Sequence, residues 1–173
     1  GEIRSAEIAF DERAFTQIAA VKIEASQIRA AELRAWHVGR EDSGAGCDFG
    51  GSTLTKASLR DAGLESADFT GADLTGADLS GARLHRACFE GANLGGAAAR
   101  GADARETVFA RADARGASFA DANFTHADFS YARLEGADFR NADLRHADLH
   151  AASPWPERTD PERLKGEQWK KEA

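Results

Sequence analysis

The stretch Ala72-Asp73-Leu74-Thr75-Gly76-Ala77-Asp78-Leu79-Ser80-Gly81 contains the pattern Ala-Asp-Leu-x-Gly twice, and close variants of this pattern run from Cys47 to Ala151. An α-helix has a period of 3.6 residues and a flat strand a period of 2, so neither produces a five-residue spacing. The central position of the repeat is apolar at every fifth residue from Phe49 to Leu149. We therefore interpret the chain first as an internal repeat and only then by local propensity.

Each repeat predicts one very short strand followed by a turn. The central residue and the residue two places before it, which is usually Ala, face the same side only when the backbone between them is extended. The other two residues must turn the chain, and glycine is frequent at this corner because positive φ costs it little. The corner glycines are Gly71, Gly76, Gly81, Gly91, Gly101, Gly116 and Gly136.

The aromatic residues predict four repeats per coil. Five phenylalanines recur every twenty residues and would stack in one core column: Phe49, Phe69, Phe89, Phe109 and Phe129. With this period Ala99 lies beside Phe119 and Ala104 beside Phe124, so small and large side chains compensate between coils. The sequence thus predicts a solenoid whose coils pair as a parallel sheet.

The signature at Ala67-Asp68-Phe69, Ala92-Asn93-Leu94 and Ala137-Asp138-Phe139 resembles that of the pentapeptide-repeat proteins. The resemblance implies an all-β fold, a right-handed, four-sided parallel β-helix. Because such repeats are mostly architecture, the fold alone does not indicate the function.

Four segments are expected. Residues 47–153 form the main β-helix, and residues 1–38 add N-terminal coils, because Ile3, Ile8, Ile18, Ile23, Ile28, Leu33 and Val38 keep to the five-residue spacing. An amphipathic helix is the alternative for residues 2–36, which contain neither Gly nor Pro. Residues 39–46 form a projecting loop, and residues 154–173 form a C-terminal segment.

The loop interrupts the spacing, since Val38 and Phe49 are eleven residues apart where ten would keep the register. It is either a tolerated insertion or a partner-binding loop. Its residues Arg40, Glu41, Asp42 and Ser43, followed by Gly46-Cys47-Asp48-Phe49, are similar to the first loop of the quinolone-resistance (Qnr) group. That resemblance implies binding to DNA gyrase and topoisomerase IV, an acidic column that mimics DNA, and relief of quinolone inhibition. The second, longer loop common in that group is missing here.

The C-terminal segment holds all three prolines, and Asp160-Pro161-Glu162 predicts the start of a short helix. This helix would cap the open end of the solenoid. The Qnr resemblance implies instead that a C-terminal helix mediates a homodimer. Trp155, Leu164 and Trp169 are the candidate residues for either role.

The position before the central residue projects outward and is often acidic. Two interpretations stay open for its aspartates: solubility with local hydrogen bonding, or a DNA-like surface for a cationic groove. Arg100, Arg105, Arg111 and Arg115 make the middle coils locally basic. The candidate acidic surface comprises Asp68, Asp73, Asp78, Asp103, Asp113, Asp128, Asp138, Asp143 and Asp148.

Composition limits the function classes. The 173 residues carry a formal charge of −7, which argues against direct binding of nucleic acid. No apolar run could span a membrane, no signal-peptide pattern begins the chain, and two cysteines suit the cytoplasm. His126 and His146 would stack on adjacent coils, but without a third ligand we expect no metal, no cofactor and no catalytic residues. The function expected is a noncatalytic, gyrase-interacting DNA mimic, with a generic interaction scaffold as the alternative.

Overall fold

The computed structural model describes Gly46 and residues 48–153. The predicted N-terminal coils, the loop residues Arg40, Glu41, Asp42 and Ser43, and the C-terminal residues Trp155, Leu164 and Trp169 lie outside the described residues. No helix occurs in the described part, and no strand is longer than a single bridged residue.

The coils are joined by single-residue parallel bridges that connect residues twenty apart. The first bridge pairs Asp48 with Asp68, the last pairs Arg133 with Ser153, and every residue just before a central position takes part. Around one such bridge, the Leu54 amide donates to the Asp73 carbonyl (2.7 Å) and the Asp73 amide donates to the Ser52 carbonyl (2.8 Å). Four repeats therefore complete one coil, and the solenoid has four sides.

A tight turn follows every strand. Its amide-to-carbonyl bond joins residues three apart, as from Ser52 to Phe49 (3.0 Å), and the second residue after each central position has positive φ. Positive φ at only the third turn residue is the type II geometry. Nine of these corners are glycine, including all seven predicted from the sequence, but twelve carry another residue, among them Arg111 (φ 58°) and Tyr131 (φ 58°).

The interior is a column of Ala, Leu and Phe side chains. Phe49, Phe69, Phe89, Phe109 and Phe129 stack face to face, with ring centroids 4.7–5.0 Å apart and interplanar angles of 5–9°. In the later coils Phe119 and Phe124 meet edge to face at 5.2 Å and fill the space beside the column. One alanine position is replaced by Thr107, whose buried hydroxyl donates to the Leu84 carbonyl at 2.8 Å.

We number the four sides by their central residues. Face 1 is centred on 49, 69, 89, 109, 129 and 149; face 2 on 54, 74, 94, 114 and 134; face 3 on 59, 79, 99, 119 and 139; and face 4 on 64, 84, 104, 124 and 144. Each face presents outward the bridged residue before each central position and the two turn residues after it.

Candidate functional site: an acidic face

The outward aspartates share one local role, because each sits at a bridged position just before a turn. On face 1 the carboxylates of Asp48, Asp68, Asp128 and Asp148 each accept the backbone N–H two residues ahead at 2.8–2.9 Å. Asn123 makes the same bond to the Thr125 amide at 3.0 Å. This side-chain bond therefore needs an acceptor oxygen but not a negative charge.

On the other three faces, arginine neutralises many of these carboxylates. Arg105 donates two hydrogen bonds to Asp103 at 2.7 and 2.6 Å, an arrangement that we call a fork. Arg145 forms the same fork on Asp143. Each pair has the spacing Asp-x-Arg, which places both side chains on the same side of an extended strand. Two further forks follow the same spacing, Asp113 with Arg115 and Asp138 with Arg140.

These forks also act on the ionisation of the aspartates. The hydrogen bonds from Arg105, Arg115 and Arg145 lower the pKa of Asp103, Asp113 and Asp143 below the usual carboxyl value, and burial opposes the shift in each case. The paired carboxylates therefore stay ionised at neutral pH, with a cation held against each one.

The aspartates of face 1 have no such arginine. The residue two places after Asp48, Asp68, Asp128 and Asp148 is Gly, Thr, Ser or His, and within the described residues none of the four forms an ion pair with Lys or Arg. The one arginine of face 1, Arg111, pairs at 3.2 Å with Glu90.

Net charge is consequently concentrated on one side of the column. Face 1 carries five acidic side chains against one arginine, a formal charge of −4, whereas faces 2 and 4 sum to zero and face 3 to −1. Of the nine aspartates in the candidate acidic surface, the structure places Asp68, Asp128 and Asp148 together on face 1 and distributes the other six over the remaining faces. Asp48, a member of face 1, lies outside the predicted set.

Face 1 is acidic at its two ends and less polar between them. Asp48 and Asp68 lie on neighbouring coils, as do Asp128 and Asp148, and the bridged positions between the two pairs hold Cys88 and Val108. At roughly 4.8 Å per coil, about 14 Å separates Asp68 from Asp128. Near the second pair, Tyr131 is 55% exposed and contacts His150 edge to face at 5.4 Å.

The histidines of face 4 form a stack. The rings of His126 and His146 are 4.8 Å apart and nearly parallel, at 11°. Among the residues that the structure describes, no three His, Cys, Asp or Glu side chains are grouped so as to hold a metal ion. The same residues contain no helix long and apolar enough to cross a membrane.

Comparison with known proteins identifies the family. A model described as pentapeptide repeats matches eight copies in four overlapping segments, 45–71, 57–96, 92–130 and 117–153, which cover more than half of the chain. The chain belongs to the pentapeptide-repeat family, whose proteins are right-handed β-helices and generally noncatalytic structural or binding proteins. No match was found among curated proteins.

Three solved structures are similar to this chain to different degrees. A pentapeptide repeat protein, alr5209, from Nostoc PCC 7120 is 28% identical over 58% of this chain and 83% of its own, with a TM-score of 0.50. QnrB1, a plasmid-mediated fluoroquinolone resistance protein, is 22% identical over 61% of this chain and 66% of its own, with a TM-score of 0.44. A pentapeptide repeat protein from the Arabidopsis thaliana thylakoid lumen is 27% identical over 66% and 68%, with a TM-score of 0.24.

Proposed function

We propose that this chain is a noncatalytic binding protein that presents face 1 to a cationic, DNA-binding surface of a protein partner. The observation that carries the proposal is the separation of charge. Within the described residues the four aspartates of face 1 form no ion pair with Lys or Arg, whereas Asp103, Asp113, Asp138 and Asp143 on the other faces are each held by an arginine. A rigid row of carboxylates attracts a basic groove and orients it before contact. The filled core supports a binding role over catalysis.

The partner we propose is DNA gyrase or topoisomerase IV, with protection from quinolones as the outcome. This choice rests on the resemblance of the segment Arg40-Glu41-Asp42-Ser43 to the Qnr loop and on the acidic face, since both enzymes bind duplex DNA. The partner would place the protein in the cytoplasm. The alternative is an interaction scaffold without a topoisomerase role. Faces 2 and 4 favour this alternative, because their net charge is zero and they would not attract a DNA-binding surface.

A gyrase supercoiling assay with and without a quinolone tests this proposal. We would compare the wild type with a variant that carries Asp48→Asn, Asp68→Asn, Asp128→Asn and Asp148→Asn. Asparagine keeps the turn bond, as Asn123 shows, so the substitutions remove charge alone. We expect the variant to need about tenfold more protein for the same rescue, equivalent to about 1.4 kcal/mol of lost interaction.

The matched control carries Asp103→Asn, Asp113→Asn, Asp138→Asn and Asp143→Asn, which changes the net charge equally on the other faces. We expect it to stay within about threefold of the wild type, or about 0.7 kcal/mol. Equal losses in both variants would show that total charge matters and that face 1 is not special. A wild type that neither rescues nor inhibits gyrase would exclude the topoisomerase role and leave the scaffold.

A third variant addresses the loop. Excising residues 39–46 should leave the β-helix folded, as judged by circular dichroism, because the coils from Asp48 onward are bridged to one another. It should abolish gyrase rescue if the loop contacts the enzyme. Full rescue by the deleted protein would show that the loop is only a tolerated insertion.

A further inference from the structure

Tyr131 stands out among the corners of the solenoid. It is the one large hydrophobic side chain among the described residues that is exposed, at 55%, and its backbone has a φ of 58°. The equivalent corners in the first three coils of face 1 are glycines, Gly51, Gly71 and Gly91. A bulky residue in the left-handed region costs stability, and an exposed ring returns little burial in exchange. The edge-to-face contact with His150 returns part of this cost, but more than half of the tyrosine stays exposed to a partner.

Two aspartates of face 1 lie near Tyr131 along the repeat. Asp128 belongs to the same repeat, and Asp148 is bridged to Asp128 from the next coil. Both carboxylates accept turn amides and form no ion pair with Lys or Arg within residues 48–153. The two nearby arginines are both paired: Arg111, at the same corner one coil earlier, with Glu90 at 3.2 Å, and Arg133, two residues ahead on face 2, with Asp113 at 3.2 Å.

An exposed aromatic ring on the same face as two carboxylates fits one kind of group. A guanidinium stacks on an aromatic face and also donates paired hydrogen bonds to a carboxylate, whereas a compact ammonium cannot do both with one planar surface. Aromatic residues are also the side chains that most often dominate the free energy of binding at protein interfaces. We infer that Tyr131, with Asp128 and Asp148, forms the anchor of face 1 and binds an arginine side chain of the partner protein. The inference rests on the proposed function, because it names the group that the acidic face would receive.

Substitution by glycine separates binding from folding. Tyr131→Gly removes the ring and relieves the left-handed backbone, so it should raise the melting temperature by about 2–4 °C while weakening binding. Ser66→Gly is the matched control, since Ser66 is an uncharged corner residue of face 4 with a φ of 57°. It should give a similar thermal gain without loss of binding. Tyr131→Phe keeps the ring and should bind like the wild type.

Binding would be measured with two probes, a fluorescent peptide of nine arginines by anisotropy and DNA gyrase by biolayer interferometry. We expect Tyr131→Gly to bind the peptide about two- to fivefold more weakly, with Ser66→Gly and Tyr131→Phe unchanged. Equal peptide affinity for the wild type and Tyr131→Gly would overturn the anchor. Tyr131-dependent peptide binding with no gyrase binding would support the anchor and count against the topoisomerase as partner.

Discussion

Face 1 and face 4 are built on the same repeat and the same core, yet their aspartates differ in whether an arginine pairs with them. On face 4, Asp103 and Asp143 are each held by the arginine two residues ahead. On face 1, Asp68 and Asp148 are followed at that position by Thr70 and His150, and their charges are not offset by arginine. Since the backbone is the same, the comparison shows that the side chain two residues after each of these aspartates determines whether an arginine pairs with it.

The largest effect we predict concerns the interior behind face 1. Phe89 is fully buried between Phe69 and Phe109, so Phe89→Ala should lower the free energy of unfolding by about 3–5 kcal/mol. Val108 lies on the outer side of the same face, and Val108→Ala should cost less than about 1 kcal/mol. Urea unfolding followed by circular dichroism measures both. Similar costs for the two substitutions would contradict the assignment of an inner and an outer side.

A second prediction removes the difference between the faces. Replacing Arg105, Arg115, Arg140 and Arg145 with glutamine removes the paired hydrogen bonds on Asp103, Asp113, Asp138 and Asp143 without touching face 1, although Asp113 keeps Arg133 at 3.2 Å. Binding of the nine-arginine peptide should then tighten by about tenfold, or about 1.4 kcal/mol, at low salt, and the gain should shrink as salt rises. An affinity equal to that of the wild type would mean that the forks do not mask these charges.

The smallest predicted effect is a pH dependence of stability that arises from the Asp–Arg pairs on faces 2, 3 and 4. The arginine hydrogen bonds lower the pKa of Asp113 and Asp143 in the folded protein. Their contribution is therefore complete above the unfolded carboxyl value, about 3.9, and is lost as the pH falls through the lower folded value. The contribution of each pair should be small, because the arginine is exposed and solvent screens the interaction.

Unfolding of the wild type and of Asp143→Asn at pH 7 and at pH 2–3 checks this prediction. The wild type should be slightly more stable than the variant at pH 7, and the difference should vanish in acid. A difference that persists at the lower pH would show that the variant loses packing or geometry and not an ion pair.

Much of the fold could be predicted because the repeat is local. The five-residue spacing predicted two inward residues and a turn in each repeat, and the twenty-residue recurrence of phenylalanine predicted the column in which Phe69, Phe89 and Phe109 are stacked. Glycine predicted only some of the corners, since Arg111, His126 and Tyr131 adopt the same positive φ. The coil pairing holds these residues in the left-handed region, so propensity alone did not reveal them.

Less of the candidate site could be predicted from the sequence. The repeat predicted the outward acidic positions, but it did not predict how their charge divides among the four faces. The spacing Asp-x-Arg at 103–105, 113–115, 138–140 and 143–145 is a local signal that distinguishes neutralised carboxylates from free ones. The exposure of Tyr131 and its edge-to-face contact with His150 join residues nineteen positions apart, and no local pattern predicted them.

The sequence by itself determined the repeat, the inward residues and the number of repeats per coil, because each depends on neighbours a few residues away or on a regular period. The tertiary structure alone decided which ion pairs join neighbouring coils, as between Arg60 and Asp78, and that Tyr131 is exposed and contacts His150. These are relations between coils, and they arise because parallel pairing brings residues about twenty positions apart into contact.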